Sequence, residues 1–162
     1  AGPHSIRNGR LRFMAVLAMR HVGIAVSDME HSLRFYRDYL GLRNFKEGLG
    51  QTGEYISTLV GLDRAHVDIR VLQGPDGSKV ELLKYHSHPE PGGTEAKAYE
   101  AGRPHIAFTV ENLMVLFNRR EEYGVTFKSP PQRSPDDPVY VAYCHDPDGV
   151  IMELVQPIGD DR

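Results

Sequence analysis

The chain has 162 residues, 40% of them hydrophobic and 25% charged, and a net charge of −3. That is an ordinary globular composition, long enough to bury a core in one domain or in two small fused modules. It leaves no electrostatic footprint for nucleic acid or an anionic membrane surface, and no apolar run approaches the roughly 18 residues that a membrane-spanning helix needs.

Residues 1–16 read as a leader or an appended, disordered tail. No acidic residue precedes Asp28, whereas Arg7, Arg10, Arg12 and Arg20 are basic, and Met14 is a candidate natural start. A first module is expected over 17–88. It opens on the strand Arg20–Val26, with Val22, Ile24 and Val26 on one face and His21, Gly23 and Ala25 on the other. Ser27, with Glu30 three residues on, forms a capping box. The helix it starts carries Met29, Leu33, Tyr36 and Leu40 as an apolar stripe and stops at Gly41. Arg43–Lys46 is expected as a short strand, with Gly48, Gly50 and Gly53 marking a mobile connection. Tyr55–Val60 fits a strand or a helical turn equally. His66–Gln73 and Lys79–Tyr85 then form a hairpin across the turn Gly74-Pro75-Asp76-Gly77. A linker is expected over 89–103, with a helical turn at Glu95–Tyr99. His86 and His88, just before it, read as solvated loop residues.

The same order of elements returns over 104–158, ahead of a polar tail at 159–162. The strand at Pro104–Val110 precedes a helix from Asn112 to Tyr123, whose stripe is Leu113, Leu116 and Phe117 and whose stop is Gly124. A short strand at Val125–Lys128, a Pro-rich loop at Ser129–Pro138 and strands at Val139–Cys144 and Val150–Val155 complete it. Asp146-Pro147-Asp148-Gly149 reads as a plain turn. The prediction is an α+β chain of two tandem βαβββ modules, packed together because neither buries its apolar faces alone.

The repeat extends to chemistry. Each half offers one histidine on its first strand, His21 and His105, and one glutamate on its last, Glu81 and Glu153. Both glutamates sit among apolar residues, so both carboxylates are expected to be withheld from water. A buried carboxylate without a partner costs several kcal/mol or takes up a proton. A divalent cation bound by two carboxylates and two neutral imidazoles answers that cost. The nitrogen and oxygen donors suit Ni, Zn, Mn, Co or Fe, one ion per site. Cys144 is the only cysteine, which excludes an internal disulfide and a Cys-based zinc cluster and suits a reducing, cytoplasmic compartment.

The runs H-V-G-I-A-V-S-D-M-E-H-S-L-R-F-Y-R-D-Y-L-G-L, V-E-L-L, P-H-I-A-F-T-V and H-D-P-D-G-V-I-M-E-L-V-Q-P resemble the vicinal oxygen chelate superfamily. Glyoxalase I and methylmalonyl-CoA epimerase are its best-known four-ligand members. The resemblance covers about Leu17 to Pro157. It implies paired modules whose curved mixed sheets wrap a metal in an open cavity, usually in a homodimer, with His21, Glu81, His105 and Glu153 as the ligands. It also implies proton abstraction next to the carbonyl of a small-molecule substrate with vicinal oxygens, the metal holding the enediolate. Glu153 is then the candidate base. Asp63 falls near the epimerases' second base, and its other reading is a solvated loop aspartate. The rival enzyme is an Fe(II) extradiol-type dioxygenase using His21, His105 and Glu153, against which Glu81 argues by filling an open position. The non-catalytic alternative is an antibiotic-binding protein of the bleomycin-resistance kind; a fosfomycin-type thiol transferase ranks below it. Arg64, Arg70, Arg103, Arg119, Arg120 and Arg133 are all available for an anionic substrate, and the sequence does not choose among them.

Overall fold

The apolar alternation beside His21 and His105 becomes, in a computed structural model, an edge strand in each of two separate four-stranded mixed sheets. The structure describes residues 6–7, 10–11 and 15–159. The expected leader at 1–16 and tail at 159–162 lie largely outside the described residues. Strands β1 (Ile6–Arg7) and β2 (Arg10–Leu11) pair only with each other. The first sheet has the order β3-β6-β5-β4, from β3 (Val22–Ala25), β4 (Arg43–Gln51), β5 (Val67–Gln73) and β6 (Lys79–Tyr85). The second has the order β7-β10-β9-β8, from β7 (His105–Thr109), β8 (Gln132–Arg133), β9 (Val139–His145) and β10 (Ile151–Pro157). In each sheet the first strand runs parallel to the last and the other pairings are antiparallel. The helices are α1 (Met29–Leu33), continued by π-helical backbone over Arg34–Tyr39, then α2 (Glu54–Val60) and α3 (Leu113–Tyr123). This is the expected α+β tandem of βαβββ units, with α2 inserted in the first. No helix among the described residues is long and apolar enough to cross a membrane.

Several local expectations change. The cap of α1 is Asp28, whose Oδ1 accepts from the His31 N–H at 2.8 Å. Ser27, the expected cap, donates its hydroxyl to Asp148 of the second module at 2.5 Å, a charge-assisted bond that outcompetes a neutral cap. β4 runs on through the glycines to Gln51, breaking register between Asn44 and Lys46 and again between Gly48 and Gln51. Residues 54–60 are helical and stop at Gly61, which sits at φ +68°. In the second module, 125–128 contributes only the bridge of Phe127 to Cys144, and the fourth strand comes from the Pro-rich loop instead. Pro130 and Pro131 have no N–H to donate, so that strand is short and lies at the edge. The helical turn expected at 95–99 is reduced to a single turn at Lys97–Glu100, closed by the Glu100 N–H on the Lys97 carbonyl at 3.0 Å. Ala96 N–H donates to the Gly149 carbonyl at 2.9 Å and Glu95 pairs with Lys128 at 2.9 Å, which holds the segment extended on the second module.

One core serves both modules. Ile24, Leu72 and Leu82 from the first sheet, Ala142, Cys144, Met152 and Leu154 from the second, and Leu33, Phe35, Tyr36, Tyr39 and Leu113 from the helices form a single buried cluster. Tyr39 donates to the Leu116 carbonyl at 2.6 Å and its ring packs on Tyr123, tying α1 to α3. The turn Asp146–Gly149 is the second tie. Asp146 is buried and accepts from the Tyr36 hydroxyl at 2.6 Å and from the N–H groups of Asp148 and Val150 at 2.9 and 2.8 Å. Asp148 in turn accepts from the Ser27 N–H and hydroxyl. At Gly149, φ is +84° and an added Cβ would meet the Thr94 carbonyl oxygen at 2.6 Å, so only glycine fits there. The plain turn read from the sequence is therefore a junction.

Candidate functional site

Strand alternation decides which residues share a face. In β6, Val80 and Leu82 point into the common core, so Glu81 points away from it. In β10, Met152 and Leu154 are core and Glu153 likewise faces outward. Gly23 lies opposite Glu81 and Ala107 opposite Glu153, and His21 and His105 each stand two residues earlier on the same face. The imidazoles thus reach their glutamates across neighbouring parallel strands. His21 Nε2 is 3.6 Å from Glu81 Oε1, and His105 Nε2 is 3.0 Å from Glu153 Oε2.

The structure brings the four residues together as two pairs. Neither pair has a third His, Cys, Asp or Glu ligand atom within 4.8 Å among the described residues. In both sheets the His–Glu face is the one opposite to the side that joins the shared core. The expectation of carboxylates withheld from water is also corrected, since Glu81 and Glu153 side chains are 22% and 23% exposed. Their faces are open because no element of the same chain covers them fully. Among the described residues, each carboxylate's only ion-pair partner is its histidine; no Lys or Arg approaches.

The two faces differ beside the glutamate. Val71 is the residue across from Glu81, whereas Tyr143 is across from Glu153. Tyr143 stands directly across from Glu153 in the β9–β10 register, and its ring meets His105 edge-on at 5.5 Å between centroids. Burial pushes the Tyr143 hydroxyl above its ordinary pKa, and the Glu153 charge adds to this, so it remains a donor at neutral pH. The sequence reading missed Tyr143 because nothing but the β9–β10 register assigns it to Glu153. On the same face lies a largely apolar cavity of about 450 Å³, lined by Ala98, Lys128, Val141, Tyr143, His145 and Ile151. His145 is buried; its Nε2 bonds the Ala96 carbonyl at 3.0 Å, while Nδ1 has no partner. With Nε2 donating, Nδ1 is a buried acceptor without a partner among the described residues. Replacing Tyr143 with Phe should leave metal stoichiometry unchanged and lower turnover about tenfold, by removing the polar group that faces the Glu153 charge, in side-by-side metal analysis and kinetics.

Asp63 lies elsewhere. It is in the loop after α2, 85% exposed and paired with Arg64 at 3.3 Å, at the rim of a separate shallow pocket with Thr52, Glu54 and Ser57. Most of the arginines are engaged: Arg70 with Glu47, Arg119 with Glu122, Arg120 with Glu121, and Arg133 with the carbonyls of Ser134 and Asp137.

Compared with known proteins, residues 18–154 match the sequence model of the Glyoxalase/Bleomycin resistance protein/Dioxygenase superfamily. The chain belongs to that superfamily. A lactoylglutathione lyase of Schizosaccharomyces pombe is 28% identical over 153 residues, covering 88% of this chain and 48% of the relative. The chain thus spans about half the length of that enzyme. A lactoylglutathione lyase of Pseudomonas aeruginosa is 30% identical over 152 residues, covering 84% of this chain and 80% of the relative. Among solved structures, a glyoxalase family protein from Bacillus cereus superposes with a TM-score of 0.80 at 23% identity, covering 91% of this chain and all of that one. At that identity the likeness concerns the fold. Within the superfamily, this chain carries a histidine and a glutamate at equivalent places in both modules.

Proposed function

We propose that the protein is a metal-dependent lyase or isomerase of the glyoxalase I type, which abstracts a proton next to the carbonyl of a small-molecule substrate. The observation that carries this reading is the equivalence of the two His–Glu contacts, each on an outward sheet face and each without a competing cation. The lactoylglutathione lyase names of its relatives support it. The donor set fits a divalent ion: two neutral imidazoles and two carboxylates balance its charge. When bound, the ion (Ni, Zn, Mn, Co or Fe) supplies Lewis-acid polarisation of the substrate carbonyl.

The completed centre joins His21 and Glu81 of one copy to His105 and Glu153 of a second, in a homodimer. Two features support this beyond the outward faces. Helix α2 buries none of its own residues, and its Tyr55 and Leu59 are 78% and 65% exposed. Apolar side chains on a short helix with no partner in the chain are what an interface leaves behind. Glu153 takes the substrate proton, with Tyr143 across from it in the neighbouring strand.

The experiment is metal analysis of the purified protein beside Glu81→Gln, with lactoylglutathione formation assayed in both. One divalent ion per chain is expected in the unaltered protein. The variant should bind it at least about 10-fold more weakly and lose activity in proportion. Iron, with binding unchanged in the variant, would favour the dioxygenase chemistry instead.

A further inference from the structure

The first sheet carries a second set of metal-ligating groups, on its other face. His86 N–H donates to the His66 carbonyl at 2.8 Å, extending the β5–β6 ladder by one rung. Counting back along the strands, His66, Asp68 and His86 share the side of Leu72 and Leu82 and are opposite to Glu81. They lie at the rim of the core rather than within it: His66 and Asp68 are half-buried and His86 is exposed. His86 was expected as a solvated loop residue, but Asp68 binds its Nε2 at 2.8 Å.

We propose that His66, Asp68 and His86 form a second divalent-metal site, of the zinc type, distinct from the His–Glu pairs. One ligand atom from each of the three lies within 4.8 Å of the other two, and the histidine rings pack at 4.8 Å between centroids. Two imidazole nitrogens and one carboxylate oxygen on a divalent ion make a borderline-soft set with a fourth position for water. On a tetrahedral ion with bonds of about 2.0–2.2 Å, neighbouring ligands sit about 3.3 Å apart. Asp68 Oδ2 and His86 Nε2, at 2.8 Å, need only part slightly to admit the ion.

The supporting contacts hold the ligands in place. Gly50 N–H donates to Asp68 Oδ1 at 2.6 Å, fixing the carboxylate and leaving Oδ2 toward the histidines. Ser87 Oγ accepts from the His66 N–H at 2.9 Å, pinning that residue at the strand end. The bond from Gly50 keeps Asp68 below the usual carboxylate range, so it is an anion at neutral pH. Such outer contacts are how proteins orient metal-binding carboxylates and imidazoles. The site stands independently of the reaction proposed above, because it shares no residue with the His–Glu pairs.

The test uses Zn²⁺ alone as probe, titrated by calorimetry into full-length protein carrying His21→Ala and His105→Ala. One equivalent per chain is expected to remain, with Tm raised as zinc is added. Adding His66→Ala and His86→Ala should weaken that binding by about 100-fold or more and abolish the Tm rise. Asp68→Asn, which keeps side-chain size, serves as a second variant and should weaken binding in the same direction. Circular dichroism checks that each variant is folded. Co²⁺ in place of zinc should give the visible bands of a four-coordinate site. No stoichiometric zinc in the His21→Ala/His105→Ala protein would overturn the proposal and leave the His86–Asp68 contact as a simple ion pair. So would binding that survives both the double histidine replacement and Asp68→Asn.

Discussion

Mixing protein carrying His21→Ala with protein carrying His105→Ala, under conditions that exchange subunits, is expected to restore lyase activity to about a quarter of the unaltered level. Each variant alone should be at least about 100-fold reduced, since each removes one metal-binding imidazole from every centre. The recovery follows from the geometry. Glu81 and Glu153 face away from a core that both modules share, and in the proposed homodimer each centre draws its two pairs from different copies. In a mixed dimer, one centre combines both altered modules and the other combines both intact ones. Half of the dimers are mixed, and half of their centres work. If instead the two pairs met within one chain, every chain in the mixture would carry a broken centre and no activity would return. Metal content of the mixture, measured in parallel, should rise with the activity.

The second large effect concerns stability. Asp146→Ala should destabilise the fold by about 3–5 kcal/mol, read from urea unfolding with the slope unchanged. Three donors converge on that carboxylate: the Tyr36 hydroxyl and the N–H groups of Asp148 and Val150. Alanine leaves all three without an acceptor in a site closed to water, and breaks one of the ties between the modules. Asp146→Asn should cost only about 1 kcal/mol, because its amide oxygen keeps the two backbone donors and the Tyr36 hydroxyl can rotate to accept. The two variants should also differ in pH dependence. Burial raises Asp146 above its ordinary value, against the opposing hydrogen bonds from Tyr36, Val150 and Asp148. A carboxylate raised in the folded state favours folding most while protonated. Its contribution is full below the unfolded value and is lost as pH rises through the folded one. In Asp146→Asn that part of the slope of stability against pH should disappear.

Much of the candidate site is legible in the chain itself. A period of two along each strand put His21, Gly23 and Ala25 on one face, and the repeat at His105 and Glu153 singled out four residues among many. These are local patterns, and local patterns survive folding when every strand has one buried face. The helices at Met29 and Leu113 were equally readable, because their stripes and glycine stops lie within a few turns of chain. The strand expected at 125–128 was not, because a short apolar run pairs only if its neighbour's register allows it.

The tertiary structure decided what depends on relations between distant strands. Tyr143 belongs to Glu153, and His86 to Asp68, only through the registers of β9 on β10 and of β5 on β6. Ser27 abandoned its own helix for Asp148, 121 positions away, because a carboxylate is the stronger acceptor. Above all, the sequence determined which residues share a face, while the packing of both sheets on one core determined where each face looks. Alternation is a property of a single strand; the direction of its outward side is set by what the other side must bury.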